Sequence, residues 1–405
     1  MLRTGEATEL QGGLRGGLRG GPVPARRWRG GNPPGVLRAL AVFAAVRAVG
    51  VVLVVLTDLS GGHSATRTLT RAWDAVWYLH IAEHGYGTRE YLSSFGTVQT
   101  DWAFFPLFPL LTRWADVVLP GGVGPAALLV AWAAALAAAW GVYAVGHRLY
   151  GTATATFLVV LWALLPQAVV LTLAYSESLF AALAAWALYA LLSRNWPLAG
   201  VLAALAGLTR PTGVAVAAAV VVTAGWELVR RRGRGRGPWL AVLLAPAGWL
   251  GYVLWVGART GDLLHGYFTV QDAWKSGLDF GASSLRFLRV LFLYGGKVVY
   301  PVSVLLVAAA VVLFCLLCLE RSPRAALPLL VFSGVLVLMV LLLGGPFASK
   351  PRFVLPAFPL LIPVARTMAR GWPRRRAQVL VVTGAVACAG LSYGAWVAAA
   401  VKTPL

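Results

Sequence analysis

The sequence predicts an all-α, polytopic bundle of about eleven membrane helices. Three observations carry that prediction. Of 405 residues, 59% are hydrophobic and only 12% are charged, against about a quarter charged in soluble domains. The mean hydropathy is +0.75, and the apolar residues fall in long runs separated by short polar breaks. The arginines behind the net charge of +21 gather in three such breaks: RRRGRGRG at 230–237, ERSPR at 320–324 and RGWPRRR at 370–376. Basic residues in alternate loops mark the cytoplasmic side. That placement explains the charge, so no nucleic-acid partner is expected.

The elements follow in order. Residues 1–36 are rich in Gly, Pro and Arg and cannot bury a core, which predicts a disordered basic cytoplasmic tail. The tail lacks the layout of a cleaved signal, so the apolar run at 37–57 reads as a retained first helix leading outward. A long polar stretch, 58–124, follows as the first outer loop. Apolar segments at 125–146, 153–173 and 177–192 then cross in turn. Residues 198–228 contain TRPTG. Pro211 breaks a helix there, giving two short spans that meet at the outer face over 209–213. A segment at 238–257 leads to the second outer loop, 258–297. Segments at 298–319, 325–344, 353–366 and 377–399 complete one membrane domain over 37–400.

The acidic residues check this topology independently. Of the 14 in the chain, Asp58, Asp74, Glu83, Glu90, Asp101, Asp116, Glu177, Asp262, Asp272 and Asp279 fall on the predicted outer side or its edge. Cys315, Cys318 and Cys388 lie within apolar runs. There Cys315 and Cys318 read as small hydrophobes on one helix face, and no disulfide framework is implied.

Three stretches carry the polar residues that such a chain has little reason to keep. WDAVWYLHIAEHGY, 73–86, has no Gly or Pro before Gly85, so a helix is expected. Its aromatic residues suit a helix lying at the membrane interface, holding Asp74 just above the bilayer. The plainer alternative has Asp74 merely capping that helix. His80 and His84 share a face, but no carboxylate spacing supports a metal site. QTDWAFFPLFPLLTRW, 99–114, places Gln99 and Asp101 before a run broken by Pro106 and Pro109, which predicts a bent or re-entrant segment. AYSESLFAALAAWALYAL, 174–191, puts Glu177 at the start of a membrane helix. An ionisable group within the bilayer is a functional candidate, although Ser176, Glu177 and Ser178 also suit a helix N-terminus.

Arg210, Lys350 and Arg352 are cations on the predicted outer side, against the general trend. Binding an anionic lipid phosphate would explain them, and so would pairing with outer carboxylates. In the second outer loop, Gln271, Asp272 and Trp274 could recognise a sugar or headgroup. The chain has no P-loop, dinucleotide fingerprint, HExxH or Ser-His-Asp spacing.

Together, WDAVWYLHIAEHGY, AFFPLFPLL, AYSESLFAALAAWALYAL, LTRPTG and SKPRFVLPAFPLLIPVA resemble the bacterial members of the PIG-V mannosyltransferase family. That family is related to the eukaryotic GPI mannosyltransferase 2 and belongs to the GT-C glycosyltransferases. The likeness runs from about residue 40 to 370. It implies a GT-C fold and a polyprenyl-phosphate sugar donor. It also implies a lipid or glycan acceptor, an active site on the outer face of the plasma membrane and an N-terminus in the cytoplasm. By the same likeness Asp74 is the general base. Glu83, Asp101, Gln99, Tyr78 and Glu177 are candidates for supporting acid or sugar-binding roles, and Arg210, Lys350 and Arg352 for the donor phosphate. Where the family has Arg-Ser-Asn-Gly, this chain has Arg210-Pro211-Thr212-Gly213. No cofactor is expected, and the requirement for a divalent metal is left open. A non-enzymatic transporter using Glu177 and Arg210, or a GT-C enzyme moving another sugar or using a protein acceptor, are the alternatives.

Overall fold

The computed structural model describes residues 35–93, 96–230, 232–320 and 323–401. The expected tail lies outside these up to residue 34, as do parts of the 230–237 and 320–324 runs.

Helix α1 (Val36–Ser60) buries Val36, Ala39, Phe43, Arg47, Gly50, Val54 and Asp58. The spacing of three and four puts them on one stripe. Leu37, Val42, Val49, Val52 and Leu56 are exposed around the rest. A helix apolar on all sides but packed on one suits lipid rather than water. The chain next turns through α2 (Ala65–Arg71) and α3 (Ala75–His84), then a two-stranded hairpin. In it β1 (Glu90–Leu92) pairs antiparallel with β2 (Val98–Thr100), with Gln99 opposite Tyr91. Helix α4 (Leu107–Val118) closes this loop.

The core is built on α5 (Val123–Ala163) and α6 (Glu177–Leu192). Their facing surfaces are alanine-rich, including Ala131, Ala135, Ala138, Ala181, Ala184 and Ala185, all buried. Small residues let helix backbones approach closely in a membrane. At Gly141 an added Cβ would stand 2.8 Å from the Ala185 Cβ. Two expected helices, 125–146 and 153–173, are joined here. They form one element with a kink at Gly151, whose φ of +82° only glycine adopts freely. The second ends early, because Pro166 opens a 3-10 turn running to Thr172. This turn and α6 meet at a bend of 103°.

Helices α7 (Trp196–Gly207) and α8 (Gly213–Arg230) are the two spans expected on either side of Pro211. α9 (Arg236–Leu244) and α10 (Ala247–Thr260) divide one expected span at Pro246. The second long loop contains α11 (Gly266–Ala273) and α12 (Ala282–Tyr294). α13 (Val299–Cys318), α14 (Pro323–Leu342), α15 (Lys350–Val354), α16 (Ile362–Gly371) and α17 (Arg376–Ala400) follow. The segment expected as one helix at 353–366 is instead a bent pair, Phe347–Val354 against Phe358–Gly371, at 77°.

Among the described residues, six helices are long and apolar enough to cross a membrane, or up to eight if each bent pair is one span. Each expected apolar segment is helical over at least part of its length, but α7 and the apolar part of α14 are short. The protein is an all-α polytopic bundle.

The first long loop departs from expectation in one respect. On α3, Trp77, Tyr78, Leu79 and Ile81 are buried against the protein. Trp77 stacks on Phe104 at 5.6 Å and meets Trp274 edge-on at 5.2 Å. The exposed apolar face belongs to α4, with Leu110, Trp114, Val117 and Val118. Pro106 caps that helix and Pro109 sits in its first turn, where proline is tolerated. The two prolines therefore start a regular amphipathic helix instead of bending a re-entrant one.

Arg47, which the sequence reading passed over, lies buried in the middle of α1. Its guanidinium donates to the carbonyls of Ala163 and Ala168. These lie at the end of α5 and in the following 3-10 turn. Carbonyls left open where a helix stops need such a partner.

Candidate active site

Four charged side chains meet where the helices break. Asp74 stands at the turn from α2 into α3, and Glu177 opens α6 after the 103° bend. Arg210 lies in the gap between α7 and α8, and Arg352 within α15 in the second bent pair. Regular helices space side chains by their own period, so a cluster from four elements forms most readily at interruptions.

The Asp74 Oδ2 is 2.6 Å from Arg352 Nη2. Arg352 Nε is 3.8 Å from Glu177 Oε1, and Glu177 Oε2 is 2.6 Å from Arg210 Nη1. Arg210 also donates to Ser176 Oγ at 2.9 Å, which shares a hydrogen bond of 2.7 Å with the Tyr78 hydroxyl. Side-chain exposure falls from 17% at Asp74 to 8% at Arg352, 6% at Arg210 and 1% at Glu177. Carboxylates and guanidiniums thus alternate, two of each. Burying unpaired charges at this depth would cost several kcal/mol per ion.

Glu177 does sit in the first turn of α6, where negative charge is favoured, but side-chain caps are missing. Neither Asp74 nor Ser176 makes a side-chain capping bond to its helix. The backbone at Trp73 has φ +42°, a conformation that costs a bulky residue about 1–3 kcal/mol. The Asp74 N–H donates to the Tyr175 hydroxyl at 3.2 Å, and the Arg352 guanidinium lies over the Tyr175 ring at 5.7 Å. Tyr175 was not singled out from the sequence; its position beside Ser176 and Glu177 in AYSES was the available signal. Burial pushes the Tyr78 phenol up to about 12, with the nearby Arg210 charge opposing that rise. It therefore keeps its proton and remains a hydrogen-bond donor at neutral pH.

The other candidates lie apart from this group. Asp101 is fully buried and accepts from the Gly87 and Thr88 N–H groups at 3.0 and 3.2 Å. It holds the turn after α3. Beside it, the carbonyl of Phe104 accepts from the Tyr86 and Tyr252 hydroxyls, and that of Ala103 from Gln271. Gln271 therefore ties the second long loop to the first. Glu83 is exposed, with its carboxylate 3.8 Å from Nδ1 of the neighbouring His84. Gln99 sits in β2. The His80 and His84 rings stack at 4.6 Å, with His80 hydrogen-bonded to Thr88. Among the described residues, no three His, Cys, Asp or Glu side chains gather as metal ligands.

Lys350 and Arg352 part company. The Lys350 ammonium donates to Ser284 Oγ at 2.7 Å and to the carbonyls of Val340 and Leu343 at 2.8 and 2.7 Å. Its three protons are all engaged, and two of them satisfy carbonyls at the end of α14. Residues two apart on a helix do not face the same way, which is why one cation joins Asp74 and the other does not.

A family model described as dolichyl-phosphate-mannose-protein mannosyltransferase matches residues 106–255, a stretch holding Glu177 and Arg210 but neither Asp74 nor Arg352. No curated protein matches the sequence. Among solved structures, the chain is similar to ArnT from Cupriavidus metallidurans bound to undecaprenyl phosphate. Identity is 17% and the TM-score 0.56, over 87% of this chain and 63% of that one. It is also similar to the Archaeoglobus fulgidus oligosaccharyltransferase in its apo form, at 13% identity and TM-score 0.55, over 91% and 56%. The same archaeal enzyme with an inhibitory peptide and a dolichol-phosphate matches at 12% identity and TM-score 0.52, over 91% and 56%. The chain spans less than two thirds of the length of these proteins. At these identities the likeness speaks for the architecture alone: the chain shares the all-α polytopic fold of these structures.

Proposed function

We propose that the protein is a membrane glycosyltransferase that moves a sugar, mannose in the first instance, from a polyprenyl-phosphate donor to a lipid or glycan acceptor. The observation that carries this reading is the contact of Asp74 with Arg352 at 2.6 Å, which sets a base beside a phosphate-binding cation. Asp74 takes the proton of the acceptor hydroxyl as its oxygen attacks the anomeric carbon. The bond from that carbon to the phosphate oxygen breaks, and the polyprenyl phosphate leaves with the electron pair. Arg352, whose planar fork suits phosphate, meets the growing charge, as preorganised donors do in transfer reactions of this kind. One base facing one leaving group gives inversion at the sugar carbon.

The description of the matched family and the lipid phosphates bound in the ArnT and archaeal structures support the donor class. On this reading the site lies on the outer face of the plasma membrane, and residues 37–400 form the catalytic domain. Membranes from cells expressing the chain, supplied with radiolabelled polyprenyl-phosphate mannose, are expected to move label into an acceptor. Label that stays on the donor, with mannose and with other sugars alike, would reject the enzyme.

A transporter is the second reading, favoured by Glu177 and Arg210 paired almost without exposure. It predicts substrate uptake into vesicles with no covalent product.

Lys350 has no place in this scheme. Lys350→Met is expected to leave polyprenyl-phosphate affinity unchanged. It should lower stability by about 1–3 kcal/mol through the carbonyls it orphans, read as heat resistance in detergent. A lost affinity with unchanged stability would return Lys350 to the phosphate site.

A further inference from the structure

We propose that Arg352 serves two anions in turn: it holds the Asp74 carboxylate in the resting protein, and an arriving lipid-linked phosphate displaces that carboxylate and frees it to act. The inference rests on the glycosyltransferase reading above and concerns how its base is switched on.

The charge pattern is the first ground. Asp74, Arg352, Glu177 and Arg210 form a chain of alternating sign with no net charge. A phosphate added to that chain brings negative charge that nothing in the quartet balances, and like charges close together in a poorly hydrated site repel strongly. One anion must leave. Glu177 is fixed, being buried and held between both guanidiniums. Asp74 has only one of them and is the most exposed member, so it can move into water at the least cost.

The second ground is the capacity of Arg352. Its Nη1 is buried and, among the described residues, has no hydrogen-bond partner, and Nε likewise has none beyond the long approach to Glu177. A guanidinium carries five N–H donors in a planar fork. Its plane is set by the rings of Tyr175 at 5.7 Å and Phe353 at 5.1 Å. The group is therefore already oriented, with donors in reserve for a second anion.

The exchange has a chemical consequence. While Asp74 is bound to Arg352, its Oδ2 is turned to the guanidinium rather than to an acceptor hydroxyl. Release frees that oxygen to meet the acceptor. The base is thus released only when donor is present, through competition for one cation.

The test measures binding of undecaprenyl phosphate to the purified full-length chain in lipid nanodiscs, with no sugar or acceptor present. Asp74→Asn removes the competing charge and is expected to bind about 5–150-fold more tightly than wild type, the usual range of coupling between sites. Asp74→Ala should behave the same way, which separates lost charge from a new amide contact. Combining Asp74→Asn with Arg352→Gln should erase the gain. Binding by wild type with equal or weaker binding by both Asp74 variants, each monodisperse, overturns the exchange and leaves the enzyme reading standing. No binding by wild type or variants overturns both.

Discussion

Asp74→Asn is expected to slow sugar transfer by about 10²–10⁴-fold, the contribution typical of a positioned general base. The substitution keeps the shape of the side chain and removes its ability to take a proton. It should not unfold the loop, because Asp74 makes no capping bond to α3 and is the most exposed of the four charged residues. The measurement is initial rate in membranes at matched protein levels, with saturating donor so that tighter donor binding cannot mask a slower step. Asp74→Glu, which keeps the charge but moves it, should restore only part of the rate. Full activity in Asp74→Asn would remove the base from this loop. Asp101 would not inherit the role, since its carboxylate is held by two backbone N–H groups.

The second large effect concerns stability. Glu177→Gln and Arg210→Gln are each expected to cost about 3–5 kcal/mol, because each leaves a partner charged and buried. The double variant should cost clearly less than the two together, by an interaction energy of about 0.5–3 kcal/mol. Denaturant unfolding in mild detergent, followed by tryptophan emission, measures all three. Additive losses would mean that the 2.6 Å contact contributes no coupling. Well-packed apolar residues often replace a buried ion pair without loss of stability. Retaining one here therefore points to use rather than to cohesion.

Much of the fold could be read from the sequence because lipid demands a simple pattern. α1, α13 and α17 are long apolar runs, and Pro211 marks the gap between α7 and α8. The bends were harder. The polar GHRLYG break at 146–151 marks the kink at Gly151. Pro166 does not interrupt the hydropathy, yet it turns the chain into a 3-10 segment. The bent pair containing Arg352 was read as a helix beginning at 353, since an apolar run looks alike whether it crosses or turns back. Asp74, Tyr78, Glu177, Arg210 and Arg352 were each singled out, but not as one group. Their pairing joins residues remote in sequence, and no local spacing encodes it. Asp101 and Lys350 carried the same chemical signal as Asp74 and Arg352. Only their backbone partners distinguish them. Arg47 shows the converse: a cation in mid-helix was a signal available in the sequence, and it was overlooked.

The order of the four residues along the chain bears on how the protein is made. Glu177 opens α6 and Arg210 follows α7, so the two emerge from the ribosome close together and can pair as this hairpin inserts. A lone charge costs roughly 2.5–3.5 kcal/mol at a helix centre and less at the helix ends where these two lie. Asp74 is synthesised well before Arg352 and waits in its loop for that partner. A chain extended only as far as Arg210 holds the buried pair but not the full quartet, which closes when Arg352 meets Asp74.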